Sequence, residues 1–191
     1  MAIIKCAGLD GSLRNFGITK MLYDTDTGRL GIYDMLLIET QKSQEKKVRK
    51  SSDTYERARE LALGCQTYIK DCDVIFAEIP SGGKSYDAVL GFGIVIGVYA
   101  GLQQALIEVS PIETKKATVG SRTASKEEMI NWATAAYPNA KWLTVKRGGV
   151  MVPVNKNEHL ADAAAIVHAG IQTPAFRQAA AILGASLRQA A

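Results

Sequence analysis

Three acids far apart in the chain each stand at the edge of an apolar segment. Asp10 follows Ile3-Ile4-Lys5-Cys6-Ala7-Gly8-Leu9 and precedes Gly11-Ser12. Glu78 ends Val74-Ile75-Phe76-Ala77, and Asp162 lies in His159-Leu160-Ala161-Asp162-Ala163-Ala164-Ala165. Carboxylates brought together repel one another, so a cluster is costly unless a cation sits among them. Mg²⁺ takes hard oxygen ligands and keeps several waters. Two such ions about 4 Å apart can activate a water and stabilise the leaving oxygen of an in-line phosphodiester displacement. His159 lies three residues before Asp162 on the same helical face, where an imidazole can bind metal or handle a proton. Glu158 shares part of that face and is the weaker candidate. Gly11 lets a phosphate or a metal come close to the backbone. Each residue also has a plainer role. Asp10 can make an Asp-Gly turn, Glu78 can be an ordinary strand-end acid, and His159 and Asp162 can decorate a helix start. Their joint placement argues for the cluster.

Periodicity and turn signals supply the elements that must hold these residues. Residues 3–9, Phe16 to Leu22 and Leu30 to Ile38 read as strands, the last two separated by Asp24-Thr25-Asp26-Thr27-Gly28. Short turns predict an antiparallel meander. Gln41 to Ser52 is polar and rich in lysine; its 41–50 stretch reads as a solvated basic loop or an arm for nucleic acid. Asp53 to Lys70 reads as a helix with Ala58, Leu61, Ala62, Cys65 and Ile69 on one face. Val74 to Ala77 is a buried, parallel strand, and Ser85 to Gln104 a long helix whose small residues Ala88, Gly91, Gly97 and Gly101 are taken as one close-approach face. Leu106 to Val109 is a strand, and Pro111 opens the segment after it. Ser125 and Glu128 form a capping box for a helix from Lys126 to Tyr137, which Pro138 stops. Within 140–157, Leu143-Thr144-Val145 and Val150-Met151-Val152 flank Gly148-Gly149 as a basic hairpin. His159 to Gly170 and 175–190 are the last helices. The expected fold is α/β: a mixed five-stranded sheet with helices on both faces, in one domain over 1–191. Strands one and four then lie side by side, and Asp10 and Glu78 reach one sheet edge.

The bulk numbers agree with a globular chain. Of 191 residues, 47% are apolar and 22% charged, enough for one core. The net charge of +4 is compatible with a polyanionic partner. Cys6, Cys65 and Cys72 form no CxxC pair and read as reduced thiols. No basic segment followed by a long apolar stretch opens the chain, and no stretch is long enough to span a bilayer. A cytoplasmic protein with no membrane association is expected.

The motifs, taken in order, carry a resemblance. Leu9-Asp10-Gly11-Ser12 with Phe16-Gly17 resembles the opening motif of RuvC-type Holliday-junction resolvases, which belong to the RNase H-like nucleases. Ala77-Glu78 and the helix after it resemble that family's second acidic motif and dimer helix. Glu108-Val109-Ser110-Pro111 through Lys115-Lys116, then Thr118-Val119-Gly120 and Ser125-Lys126, is similar to the segment carrying its basic residues. His159-Leu160-Ala161-Asp162-Ala163 resembles its closing motif. The resemblance covers roughly 1–138 and 157–170. It implies an RNase H-like fold and a homodimer that nicks opposed strands of branched DNA, the four-way junction above all. It implies two Mg²⁺ ions per site, replaceable by Mn²⁺, on Asp10, Glu78, Asp162 and His159, and no small-molecule cofactor. Lys126 would stabilise charge at the scissile phosphate with Lys116 nearby. Arg14, Lys84, Lys115, Lys116, Arg122, Lys146 and Arg147 would contact nucleic acid. Ile79-Pro80-Ser81 after the second acid departs from the aromatic the family often places there, and 140–157 is longer than in the plain bacterial enzyme. Other readings are an RNase H-like enzyme for RNA–DNA hybrids or flaps, a non-catalytic junction-binding module, and half of an actin-like sugar kinase. The length disfavours the last.

Overall fold

The computed structural model describes residues 2–189. A strand hairpin opens the chain, with β1 (Ile3–Gly11) and β2 (Asn15–Asp24) antiparallel in the register Asp10↔Gly17. β3 (Leu30–Glu39) pairs antiparallel with β2. β4 (Val74–Ala77) runs parallel to β1 with Leu9↔Ala77, and β5 (Leu106–Glu108) parallel to β4. The five-stranded order is therefore β3-β2-β1-β4-β5, the mixed sheet expected. A separate two-stranded hairpin, β6 (Thr144–Arg147) and β7 (Val150–Pro153), turns at Gly148-Gly149, both at positive φ.

Strand alternation sorts the sheet into two faces. Ala7, Leu9, Phe16, Ile18, Ile75 and Ala77 pack under α1 (Lys50–Ile69) and α2 (Tyr86–Ala100). Ile4, Cys6, Met21, Val74 and Phe76 pack against α5 (Asn157–Gly170) and Phe176 of α6 (Pro174–Gln189). Outside α5 lie α3 (Pro111–Thr118) and α4 (Lys126–Ala136), each closed by a capping box, Ser110 with Glu113 and Ser125 with Glu128. Residue 190 of the helix expected over 175–190, and residues 1 and 191 of the single-domain span, lie outside the described residues. All three cysteines are buried and unbridged. No helix among the described residues is long and apolar enough to cross a membrane.

Two expectations about α2 need correction. It ends at Ala100 rather than Gln104, and Ala88, Gly91, Gly97 and Gly101 do not share a face. Gly91 is buried against Leu13, whereas nothing lies within van der Waals reach of a methyl at Gly97. At 100° per residue these four positions scatter around the axis. The exposed stripe is instead Tyr86, Val89, Gly93, Ile96, Gly97 and Ala100.

α5 is the buried centre of the second layer, and glycines let it sit directly on the strands. A Cβ at Gly8 would overlap the carbonyl oxygen of Ala163, and one at Gly17 would overlap that of His159. Between them the Thr19 hydroxyl donates to the Leu160 carbonyl at 2.9 Å. A methyl at either glycine must push backbone, which costs about 1–3 kcal/mol. Gly8→Ala and Gly17→Ala should each lower the melting temperature by roughly 4–10 °C. Gly31→Ala, where an added methyl meets nothing, should stay within about 2 °C. Circular-dichroism melts check this, and equal tolerance at all three positions would show that α5 does not depend on the close seat.

Candidate functional site

Parity brings the first two acids together. Gly8 and Asp10 continue the face of Ile4 and Cys6, and Glu78 continues the face of Val74 and Phe76. The parallel register Leu9↔Ala77 sets Asp10 beside Glu78 at the end of the sheet. The start of α5 crosses this end through its seat on Gly8 and Gly17, and so delivers Glu158, His159 and Asp162.

His159 Nδ1 lies 2.7 Å from Asp10 Oδ2, and its Nε2 lies 3.5 Å from Glu158 Oε1. Glu158 is paired with Lys126 Nζ at 3.0 Å. Glu78 accepts a 2.6 Å hydrogen bond from the Thr114 hydroxyl at the first turn of α3. Below Asp10, the buried Tyr99 hydroxyl donates to the Leu9 carbonyl at 3.4 Å. The acids pay for this crowding. Burial, then the charges of Asp10 and Glu78, push the Asp162 carboxyl up to about 7. Burial also raises Glu78, with Asp10 adding to it and Thr114 and Lys115 opposing. His159 is raised chiefly by its hydrogen bond to Asp10.

The basic residues divide. Lys115 is half-buried and close enough to favour ionised Glu78. Lys116, the next residue, instead lines a hollow with Ala169 and Gln172 at the other end of α5, so it does not stand near the acids. Lys126 is exposed and held by Glu158. Arg14 is exposed on the β1–β2 turn, Lys84 before α2, Arg122 before α4, and Lys146 and Arg147 on β6. The β6–β7 hairpin is tied to the site by Asn157, fully buried, whose side chain accepts from the Leu143 amide at 2.8 Å and donates to the Leu143 carbonyl at 2.9 Å. Sequence reading missed Asn157, Thr114 and Thr19. The nearest signal was a polar residue inside an otherwise apolar or capped segment.

No group of three His, Cys, Asp or Glu side chains among the described residues is gathered closely enough to hold a metal ion as it stands. The donor chemistry nevertheless suits a hard divalent cation: carboxylates from three elements, two of them raised by burial and mutual repulsion.

No family model matches the sequence, and no curated protein is similar to it in sequence. Solved structures are similar in fold. Thermus thermophilus RuvC in complex with a Holliday junction substrate is 16% identical, with a TM-score of 0.60 over 88% of this chain and 92% of that one. The yeast mitochondrial Holliday junction resolvase is 14% identical, with a TM-score of 0.57 over 96% and 86%. The fowlpox virus resolvase, solved with Holliday junction DNA, is 12% identical, with a TM-score of 0.52 over 89% and 100%. The chain thus has the RNase H-like fold of RuvC-type resolvases.

The raised Asp162 gives a stability prediction with a definite sign. Its carboxyl binds a proton more tightly folded than unfolded, so its contribution is most favourable in acid. That contribution is lost as the pH rises from about 4 through about 7. His159 acts in the same direction, its stabilisation being present below pH 6.5 and lost as pH passes its raised value. In chelator at pH 8, Asp162→Asn should therefore be more stable than the parent, by up to about 4 kcal/mol. The gain should shrink towards pH 4. Melts across pH check this, and a loss of stability at pH 8 would show that Asp162 is not held against its charge.

Proposed function

We propose that this chain is a metal-dependent endonuclease that cuts branched DNA, four-way junctions above all, by phosphodiester hydrolysis. The observation carrying this reading is that Asp10, Glu78 and Asp162, from β1, the end of β4 and α5, lie near enough at one sheet end for the charges of the first two to act on the third, in a fold similar to that of junction resolvases. Asp10, Glu78 and Asp162 would hold two Mg²⁺ ions, or Mn²⁺ in their place, with His159 as a fourth site residue. Bound there, the ions would neutralise the phosphate and favour in-line attack by water. The chain's own groups do the rest. His159, with Nδ1 2.7 Å from Asp10 Oδ2, is placed either to bind a metal or to hand a proton to the leaving oxygen. Lys126, exposed on the rim and paired with Glu158, can turn to a phosphate oxygen. Lys115 offsets charge beside Glu78. Arg14, Lys84, Arg122, Lys146 and Arg147 neutralise backbone phosphates around the site, which is where affinity for nucleic acid mostly comes from.

Paired nicks require two sites, and the exposed stripe on α2 suits an isologous contact. Tyr86, Val89 and Ile96 are large and exposed, and Gly93 and Gly97 between them permit close approach. We therefore read the working form as a homodimer joined through α2.

Cleavage of a labelled four-way junction, with linear duplex, flap and RNA–DNA hybrid controls, tests this reading. Asp10→Asn and Glu78→Gln should each lower the rate by roughly 10²–10⁴-fold while junction affinity in chelator stays within a few-fold. Chelator should stop cutting by the parent, and Mg²⁺ or Mn²⁺ should restore it. Undiminished cutting by either variant would sink the assignment, and preference for a flap or hybrid would move the substrate. Ile96→Glu should yield a folded monomer by light scattering that makes single rather than paired nicks.

A further inference from the structure

Arg57 is a buried cation, 8% exposed, at the N-terminal end of the buried face of α1, one turn before Leu61. Its Nε donates to the Thr40 hydroxyl at 2.9 Å and its Nη2 to the Leu13 carbonyl at 3.3 Å. The Thr40 hydroxyl donates to the same carbonyl. These neutral partners fix the guanidinium but leave its charge uncompensated. No carboxylate among the described residues forms an ion pair with it. Burying a charge without a counter-charge costs several kcal/mol, so the placement calls for an anion.

The surroundings supply the opening for one. Arg57 lines a hollow with Arg14, Thr40, Gln41, Lys42 and Gln44, which are neutral or basic without exception. The acid on the next residue, Glu39, points to the opposite face of the sheet, where it pairs with Lys156. Lys42 reaches Asp87 at 3.5 Å, a long contact between exposed groups that an incoming anion can replace. With Nε and one Nη2 hydrogen engaged by Thr40 and Leu13, Arg57 keeps its Nη1–Nη2 edge, a second fork that matches phosphate. The hollow lies under the β1–β2 turn, whose Leu13 is three residues from Asp10, at most about 11 Å along the chain. That is at most about three nucleotide steps along one strand, whose axial rise of about 3.4 Å is the least that one step spans.

We propose that this hollow is a phosphate subsite, and that its occupant is a backbone phosphodiester of the same nucleic acid, a few nucleotides from the bond at Asp10. The subsite fixes the strand by an internal cation and needs no metal. The inference rests on the nuclease reading for its occupant, but not for its anion chemistry.

Two measurements on the full chain in chelator separate the sources. In the first, inorganic phosphate is titrated against chloride at matched ionic strength and the melting temperature followed. Phosphate should stabilise the parent, and Arg57→Lys, which keeps the charge but loses the fork, should lose most of that response. In the second, a junction strand carrying one neutral methylphosphonate, moved stepwise from the cleaved bond, is bound to the parent and to Arg14→Ala/Lys42→Ala. One position about one to three steps away should weaken the parent about 3–10-fold but hardly affect the double variant, whose salt slope should be smaller by about one. The double variant changes exposed side chains and should fold normally. Phosphate stabilisation with no sensitive position would overturn the backbone assignment in favour of a free anion. No phosphate response and no sensitive position would overturn the subsite. Failure of the parent to bind any junction would instead overturn the nuclease reading, with the phosphate titration still deciding whether the hollow takes an anion.

Discussion

The seat of α5 on β1 and β2 is the constraint from which the rest follows. A helix normally rides on a sheet at side-chain distance. Here its carbonyls at His159 and Ala163 rest over Gly17 and Gly8, and the Thr19 hydroxyl holds the Leu160 carbonyl between them. The contact admits no slip. A shift by one strand residue would meet a side chain, and a rotation of the helix would lose the Thr19 bond. α5 must also be small on its other sides, because α3 and α4 pack there, and Ala161, Ala163, Ala164, Ala165 and Ala169 meet that need. The polar residues on this otherwise buried helix, Glu158, His159 and Asp162, are thereby aimed at the end of β1.

That geometry fixes the electrostatics. Three carboxylates on a packed sheet and a buried helix cannot relax apart, so burial first, and their mutual repulsion after it, raise the proton affinity of Glu78 and Asp162. The chain offsets part of it with its own cations: His159 against Asp10, Lys126 against Glu158, Lys115 beside Glu78. Two of these contacts involve side chains at the rim or groups able to lose a proton, so they can be exchanged for other positive charge without disturbing the core. A site of this kind is stiff in its framework and replaceable in its counter-charges.

Much of this was legible in the sequence, for a physical reason. Strand ends, turns and caps are local, and so β1 to β5, the Ser125–Glu128 box and the Gly148-Gly149 hairpin were readable from neighbours in the chain. Asp10 and Glu78 were readable because each ends an apolar strand. What escaped was orientation across elements. The small residues of α2 seemed one stripe, but Gly91 turns inward to Leu13 while Gly97 faces out. Lys115 and Lys116 looked equivalent, yet one turn angle separates the acid cluster from the far end of α5. Gly8 and Gly17 looked like ordinary strand glycines, and nothing local reveals that a helix backbone needs the space. Nor does anything local to Arg57 reveal that Thr40 and Leu13 are brought to its guanidinium.

The distribution of charge over the two ends of the sheet argues that its working surface is an end rather than a face. Successive residues at the end of β3 serve both faces, Glu39 binding Lys156 on the α5 side and Thr40 holding Arg57 on the α1 side. Arg14, Lys42, Lys115, Lys126 and the β6–β7 hairpin gather around that same end. The opposite end carries Asp24, Asp26, Asp71 and Asp73 near the start of β1. Those acids are countered there by Lys5, Lys20 and Arg188, and Arg177 and Arg188 line a hollow with Tyr23 and Thr25. A net charge of only +4 is therefore a poor measure of how a polyanion sees this molecule. Cations gathered around the three acids would draw an approaching polyanion to this end before any contact forms. In the proposed role the acids need that surround, because without it their own charge would turn a phosphate backbone away.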